Sequence, residues 1–416
     1  MKLMSGREWK RIDVVKRVAN GLLTTAEAAL VLGLCPRQVR RIRRALEEHG
    51  QDGVRHGNKG RPPPNRRQDD QRARVLELFK TKYAGFNDQH FTEKLVDVEK
   101  IKVSRPTVQR WLRAAGLTAA RKRRAPKHRR RRDRKPQAGL MILWDGSRHA
   151  WLEDRGPMMC LMGAVDDATS ELLPGAHFVD QECAAGYLAT LRAIVRAKGV
   201  PCSAYMDRHG SLRRNDDNWT LEEELRGEQD PTQVGKALKE LNVTPIFALS
   251  PQAKGRVERV WGTLQDRLVS ELRLAKVRTM EAANEILGRH LGDHNRLFAV
   301  PAGEAAPAWK RLGVGVDIDL VCSFRYDATV HNDNTVRISG HVIDIPPGPG
   351  GRSYARARVD VRQLLDGGWR VLHNGKPIAA GKTTTTEELR AKPQRKRSAA
   401  SRAFRAAVQS IAVSLP

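Results

Sequence analysis

The hydrophobic period of the chain changes along its length. Over residues 8–49 apolar positions recur every three or four residues, the period of a helix. Ile12, Val15, Val18 and Ala19 form one stripe. "AEAALVLGL" follows the potential caps Thr24 and Thr25, and Val39, Ile42 and Leu46 mark a third segment, "PRQVRRIRRALEEHG". Gly33 breaks the second segment, Pro36 opens the third and Gly50 ends it, which is where helices tolerate these residues. Helix, glycine turn, helix is the helix-turn-helix pattern. "RHGNKGRPPPNRRQ" then reads as a linker. Three further helical segments follow: "RARVLELFKTKY", "DQHFTEKLVDVE" and "VSRPTVQRWLRAAGL". They predict a second helix-turn-helix or winged-helix-like unit, with a purely supporting bundle as the alternative.

From residue 139 the period shortens. "GLMILWDGS", "MMCLMGAVDD" and "LLPGAHFV" predict three strands, the last distorted at Pro174 and Gly175. "ECAAGYLATLRAIVRAKG" predicts an amphipathic helix and "CSAYMD" a fourth strand. After the polar insert "RRNDDNWTLEEELRGEQDPTQ" come a helix, "VGKALKELN", and a fifth strand, "VTPIFAL". "SPQAKGRVERVWGTLQDRL" then opens on Ser250 and Pro251, good starting residues for a helix. It carries Val257, Val260, Trp261, Leu264 and Leu268 at helical spacing. Three successive strands followed by alternating helix and strand is the order of a ribonuclease-H-like α/β sheet. Residues 283–298 read as helical. Beyond about 315 the runs "VDIDLVCSF", "ATVHNDNTVRI", "HVIDIP", "ARARVDVRQLL" and "GWRVLHNGKPIA" predict a small antiparallel β-barrel.

The expected organisation is a multidomain α/β chain. It has a helix-turn-helix domain (1–54), a linker (55–70), a second helical domain (71–120) and a basic linker (121–138). An integrase-like catalytic core (139–312), a β-barrel (313–380) and a basic tail (381–416) complete it.

Charge changes the picture. The 416 residues hold 75 Lys and Arg against 47 Asp and Glu, a net charge of +28. Residues 1–136 carry +23 of it and the tail 382–416 another +6, so the middle is almost neutral. Basic arms around a neutral centre are the footprint of a polyanion binder. No apolar run approaches the roughly 20 residues that span a bilayer, so nucleic acid is favoured over membrane. In the third helical segment Arg37, Arg40, Arg41 and Arg44 lie off the apolar face, available to phosphates or base edges. The tract 121–135, which includes Arg129, Arg130, Arg131 and Arg132, has eleven basic residues in fifteen positions. It would add salt-sensitive affinity without sequence information. Five scattered cysteines without a CxxC pair argue against a disulfide framework, and no secretory signal is visible. A cytoplasmic, nucleoid-associated protein is expected.

The candidate chemistry lies in three acids. Asp145 is expected to end the first strand and Asp207 the fourth, strands that neighbour each other in this order. Glu258 falls in the first turns of the following helix. Three carboxylates on one sheet edge offer the hard oxygen donors that Mg²⁺ prefers. Asp166 and Asp167, at another strand end, are rivals for a place in such a set. Asp154, Asp216 and Asp217 read as solvated loop residues. Lys254 lies one helical turn before Glu258, and Arg256, Arg259 and His209 stand near the same acids as candidate DNA contacts. Gly255 would permit close approach of DNA or relieve packing.

On "LWDGS", "YMDRHGS" and above all "SPQAKGRVERVWGTLQDRL", the chain resembles the DDE transposases of the retroviral-integrase superfamily. Within them it resembles the transposases of ISNCY-type bacterial insertion sequences. The resemblance covers most of the chain. It implies a catalytic, metal-binding triad of Asp145, Asp207 and Glu258 and two Mg²⁺ ions, with Mn²⁺ able to substitute. It also implies double-stranded DNA as partner, bound at terminal inverted repeats, and self-association into at least a dimer on DNA. The implied reaction has no covalent protein–DNA intermediate: water cuts a phosphodiester at the element's end, and the freed 3′-OH attacks target DNA. Asp207 and Glu258 are 51 positions apart, more than in retroviral integrases, because of the insert 213–232. A non-catalytic DNA-binding regulator and a metal-dependent nuclease are the competing readings.

Overall fold

A computed structural model describes residues 4–55, 58, 69–117, 132–214, 219–248, 255–384 and 388–389. The chain divides into two compact units, Met1–Arg74 and Val75–Pro416.

The first unit is built on α1 (Gly6–Ala19), α2 (Thr25–Leu32) and α3 (Pro36–His49). Thr24 caps α2 by accepting from the Glu27 N–H at 3.2 Å, while the Glu27 carboxylate accepts from the Thr24 N–H at 2.7 Å. This reciprocal box satisfies two donors that a helix start leaves open. Gly33 ends α2 at φ 62°, a left-handed position that suits glycine. Val14, Val15, Val18, Ala28, Ala29 and Val39 make the core, with Ile42 and Leu46 packed against it. Arg37, Arg40, Arg41 and Arg44 are exposed on α3.

In the second unit, α4 (Asp69–Thr81, which begins in the first unit), α5 (Asp88–Asp97) and α6 (Arg105–Ala114) enclose an aromatic-rich core. Phe79, Tyr83, Phe86 and Phe91 are buried there with Val108 and Leu112.

A five-stranded sheet follows. Its strands are β1 (Ile142–His149), β2 (Met159–Asp166), β3 (His177–Val179), β4 (Ser203–Met206) and β5 (Thr244–Phe247). Their spatial order is β3-β2-β1-β4-β5. β1, β2 and β3 pair antiparallel, and β4 and β5 continue parallel to β1. Between them run α7 (Ala184–Ala197), α8 (Leu221–Arg226) and α9 (Gln233–Glu240), and beyond them α10 (Val257–Leu274) and α11 (Met280–Phe298). Alternation along β1 sends Ile142 and Trp144 to one face, with Leu188, Leu191 and Leu238. Leu143 goes to the other, with Val257, Trp261, Leu264 and Leu268. All eight residues of β2 are buried, as expected of a strand covered on both faces.

α10 is gripped from its far side by α5. Glu271 meets His90 Nε2 at 2.6 Å and Lys94 Nζ at 2.7 Å. Arg267 donates to both oxygens of Glu93, at 2.7 and 3.1 Å, and Asn87 donates to Asp266 at 2.6 Å. Arg267 is itself 6% exposed, its guanidinium 4.9 Å from the centre of the Phe298 ring. Burial pushes the Glu271 carboxyl up, but His90 and Lys94 outweigh it and hold it at about 2.

Several expectations are corrected. Asp145 lies within β1 rather than at its end. The third strand shrinks to His177–Val179. The preceding Gly175 sits at φ +86° against α7, where a Cβ would come 2.5 Å from that of Ala193. The polar insert contains α8, started by a capping box of Thr220 and Glu223. In "VDIDLVCSF" a helical turn, α12 (Ile318–Val321), replaces the expected strand, because Asp317 caps it by accepting from the Asp319 N–H at 2.9 Å.

The remaining strands are β6 (Phe324–Thr329), β7 (Thr335–Ile338), β8 (His341–Asp344), β9 (Arg358–Gln363), β10 (Trp369–His373) and β11 (Lys376–Gly381). They do not close into a barrel. Among the described residues they form an open sheet, β11-β10-β9-β6, and a separate hairpin, β7-β8. Ser339 and Gly340, both at positive φ, turn β7 back on β8, so the two pair with each other.

The depressed Glu271 carboxyl makes the α5–α10 junction acid-sensitive. Because its folded value, about 2, lies below its ordinary 4.5, its contribution is complete above about pH 4.5 and is lost as pH falls through about 2. Glu271→Ala at neutral pH should reproduce that loss, leaving buried donors unsatisfied at a cost of about 1–3 kcal/mol. Hydrogen exchange should quicken in α5 while β1 and β2 stay protected; unchanged exchange in α5 would show that the junction contributes nothing.

Candidate active site

β1 and β4 run parallel with Ile142 opposite Ala204 and Leu143 opposite Tyr205. Carrying that register two residues on sets Asp145 level with Asp207. By alternation both share the face of Leu143 and Tyr205, which packs toward α10. Trp261 ties this helix to the site: its indole Nε1 donates to Asp145 Oδ2 at 3.1 Å. Glu258, three residues earlier, is exposed in the first turn of α10. The positive end of the helix dipole favours a carboxylate there. Asp207 is half-buried and accepts from the backbone N–H of His209 at 3.0 Å.

The structure therefore sets Asp145 and Asp207 level on neighbouring strands and ties the helix bearing Glu258 to Asp145 through Trp261. Among the described residues, no three His, Cys, Asp or Glu side chains are gathered closely enough to hold a metal ion. Carboxylates drawn together without a cation would repel. The donor chemistry nevertheless suits a hard divalent cation. Burial raises the pKa of the Glu182 carboxyl, and the charges of Asp207 and Asp145 raise it further. Burial, with Glu182 and Asp145, likewise pushes the Cys160 thiol up to about 12.

Glu182 is the acid that sequence reasoning missed. It accepts a hydrogen bond from the Tyr187 hydroxyl and lies 3.5 Å from His209 Nδ1. It sits just before α7 in "DQECAAG", with no motif around it. The nearest signal is Gly146, directly after Asp145, where a Cβ would come 2.9 Å from the Glu182 carboxylate.

The rivals Asp166 and Asp167 are saturated by the fold. Asp166 accepts from the N–H groups of Gly139, Ala168 and Thr169 at 2.7–3.0 Å. Fully buried Asp167 takes Arg132 at 2.5 Å, the Lys135 N–H at 2.8 Å and the guanidinium of Arg256. Burial pushes the Asp167 carboxyl up, but these partners override it and hold it below its ordinary range.

Two expected phosphate contacts are thus placed differently. Arg256 is committed to Asp167 and to the Arg132 carbonyl, its side chain 16% exposed. Arg132 keeps a partly open face, 42% exposed. Arg259 is exposed beside Glu258. It belongs to a basic group with Arg134, whose guanidinium pKa is lowered by burial and by the charges of Arg256 and Arg259. Lys254, Asp216, Asp217, Arg129, Arg130 and Arg131 lie outside the described residues.

Comparison with known proteins gives the family. Residues 11–73 match the family described as winged helix-turn helix. The chain is 36% identical over 376 residues to a putative transposase, y4bF, of Sinorhizobium fredii (strain NBRC 101917 / NGR234), covering 86% of this chain and 79% of that one. It is 31% identical over 333 residues to the transposase for insertion sequence IS1202 of Streptococcus pneumoniae, covering 70% and 68%. A chain from the cryo-EM structure of the simian T-cell lymphotropic virus intasome in complex with PP2A regulatory subunit B56 gamma aligns at 12% identity over 75% of this chain and all of its own length, with a TM-score of 0.30. That is too low to define a fold. The chain belongs to the transposases, in the family that y4bF and the IS1202 enzyme represent.

Asp167 anchors both the end of the basic tract and the residue that precedes α10. Asp167→Ala should strand Arg256 and Arg132 at a partly buried site and cost about 3 kcal/mol or more. The check is a lower urea midpoint with faster exchange at the start of α10; a midpoint within error of the parent would contradict this.

Proposed function

We propose that this chain is an active insertion-sequence transposase. It would bind the element's terminal inverted repeats, cleave at the ends and join the 3′-OH to target DNA. The observation that carries the reading is the β1–β4 register, which sets Asp145 level with Asp207 under the helix that carries Glu258. A strand order of β3-β2-β1-β4-β5 supports a ribonuclease-H-like catalytic core. Asp145, Asp207 and Glu258 are the residues that would hold two Mg²⁺ ions, or Mn²⁺, to activate the attacking oxygen and stabilise the leaving one.

The protein's part is placement and charge. Trp261 fixes one oxygen of Asp145, and the His209 N–H fixes one of Asp207. Arg259 and Arg134 offer positive charge for a phosphate beside Glu258. Arg37, Arg40, Arg41 and Arg44 line an exposed helix that suits the groove-entering element of a helix-turn-helix. Recognition and chemistry thus fall to different units, as joining two element ends requires, and synapsis calls for at least a dimer on DNA. No helix among the described residues is long and apolar enough to cross a membrane. The expected setting is the bacterial nucleoid.

Purified protein incubated with terminal-repeat DNA and Mg²⁺ should yield cleaved ends and joined products. Asp145→Asn, Asp207→Asn and Glu258→Gln should each lose both products while retaining binding in a mobility-shift assay. Cleavage without joining would leave a nuclease; binding without either product would leave a regulator.

Recognition has its own test. Arg41→Ala and Arg44→Ala should each flatten the plot of log affinity against log salt, by about 0.9 for every phosphate left without its arginine. An unchanged slope in both would remove α3 from the DNA interface.

A further inference from the structure

Behind the two aspartates lies a chain of contacts that the triad does not account for. Tyr187 is fully buried on α7, packed edge-on against Trp144 with ring centres 5.0 Å apart, so it leans on the residue beside Asp145. Its hydroxyl donates to Glu182 Oε1. The same oxygen lies 3.5 Å from His209 Nδ1, and the His209 backbone N–H donates to Asp207 Oδ1 at 3.0 Å. The other oxygen, Oε2, faces Gly146, where a Cβ would approach to 2.9 Å and would also meet Cys160 Sγ at 3.1 Å. Glu182 therefore fills the space that a side chain at 146 would take, and its Oε1 is held by the Tyr187 hydroxyl.

We propose that Glu182 is a positioning residue for the cation site: anchored by Tyr187, it holds His209 and thereby sets the carboxylate of Asp207 relative to Asp145. The inference rests on the reading of those two aspartates as metal-holding. Glu182 reaches both strands, Asp145's through Gly146 and Asp207's through His209. With Oε1 held by Tyr187 and 3.5 Å from His209 Nδ1, it acts as a brace between the two strands. It also accounts for the glycine of "WDGS", since any side chain at 146 would displace the brace.

The test is Mn²⁺ binding to the full-length protein without DNA, followed by electron paramagnetic resonance of the free ion. Cleavage of terminal-repeat DNA is then measured across Mn²⁺ concentrations. Glu182→Ala should weaken Mn²⁺ binding by about tenfold, the scale at which removal of an outer-shell partner is felt. Cleavage at saturating Mn²⁺ should stay near the parent rate. Glu182→Gln keeps an acceptor for Tyr187 and should recover most of the affinity. Tyr187→Phe, which removes only the anchoring hydroxyl, should shift affinity in the same direction as Glu182→Ala and carries the test if that variant does not fold. Parent-like Mn²⁺ affinity in Glu182→Ala or in Tyr187→Phe overturns the inference. So does complete loss of the ion in both Glu182 variants, which would make Glu182 a ligand. Asp207→Asn serves as the control: if it too binds Mn²⁺ normally, the metal-site reading itself fails, whereas loss of binding there with parent-like Glu182→Ala overturns the brace alone.

Discussion

The placement of α10 is the constraint on which the rest of the second unit depends. One side of the helix is apolar: Val257, Val260, Trp261, Leu264 and Leu268 seal a face of the sheet. The other side is ionic, with Asp266, Arg267 and Glu271 meeting α5. A helix of 18 residues is about 27 Å long at 1.5 Å per residue. Glu258 and Glu271 therefore sit about 20 Å apart on a single rod. Glu258 is exposed in the first turn, three residues before the Trp261 that donates to Asp145, and Glu271 meets His90 and Lys94 of α5. One unbroken helix joins them.

The two sides of α10 differ in what they specify. Apolar burial drives docking but tolerates small slides, because it is not directional. The ionic side fixes the register. Arg267 and Glu93 form a two-bond fork, and Glu271 must meet His90 and Lys94 together. Partly buried charges of this kind contribute little net stability when paired and cost heavily when mispaired. Such a junction penalises every position of α5 but one.

How much of this was legible in the sequence follows from the kind of signal each feature leaves. The helices of the first unit announce themselves through period and punctuation: Gly33 and Pro36 stand where chain geometry demands them. The stripe on α10 and the strands bearing Asp145 and Asp207 are equally plain, because a buried face imposes its period locally. The α5–α10 junction leaves no such trace. Glu93, Arg267 and Glu271 look like solvated surface residues until a partner some 170–180 positions away is known. Glu182 is hidden for the same reason, as are the commitments of Arg132 and Arg256 to Asp167. Periodicity reports what one element buries; it is silent about polar pairs between distant elements. The expected barrel fails for a different reason. Strand composition is a sound guide over much of 324–381, but whether strands close a barrel depends on which edges pair, and the turn at Ser339 and Gly340 closes β7 and β8 on each other.

Two acidic sites in the same sheet differ in how the fold surrounds their carboxylates. Asp166 and Asp167 stand at the end of β2 much as a sequence argument would want for catalysis. They are used up: backbone N–H groups surround one, and guanidinium groups neutralise the other. Around Asp145 and Asp207 the contacts are of another kind. There a neutral indole and a backbone N–H orient the oxygens, and the charges of the two aspartates raise the pKa of nearby Glu182. At the first site the protein supplies the counter-charge itself, and the carboxyl of Asp167 falls below its ordinary range. Aspartates of identical chemistry are thus set in different surroundings: Asp167 is fully buried between two guanidinium groups, whereas Asp145 and Asp207 stay half-buried, level with each other on neighbouring strands.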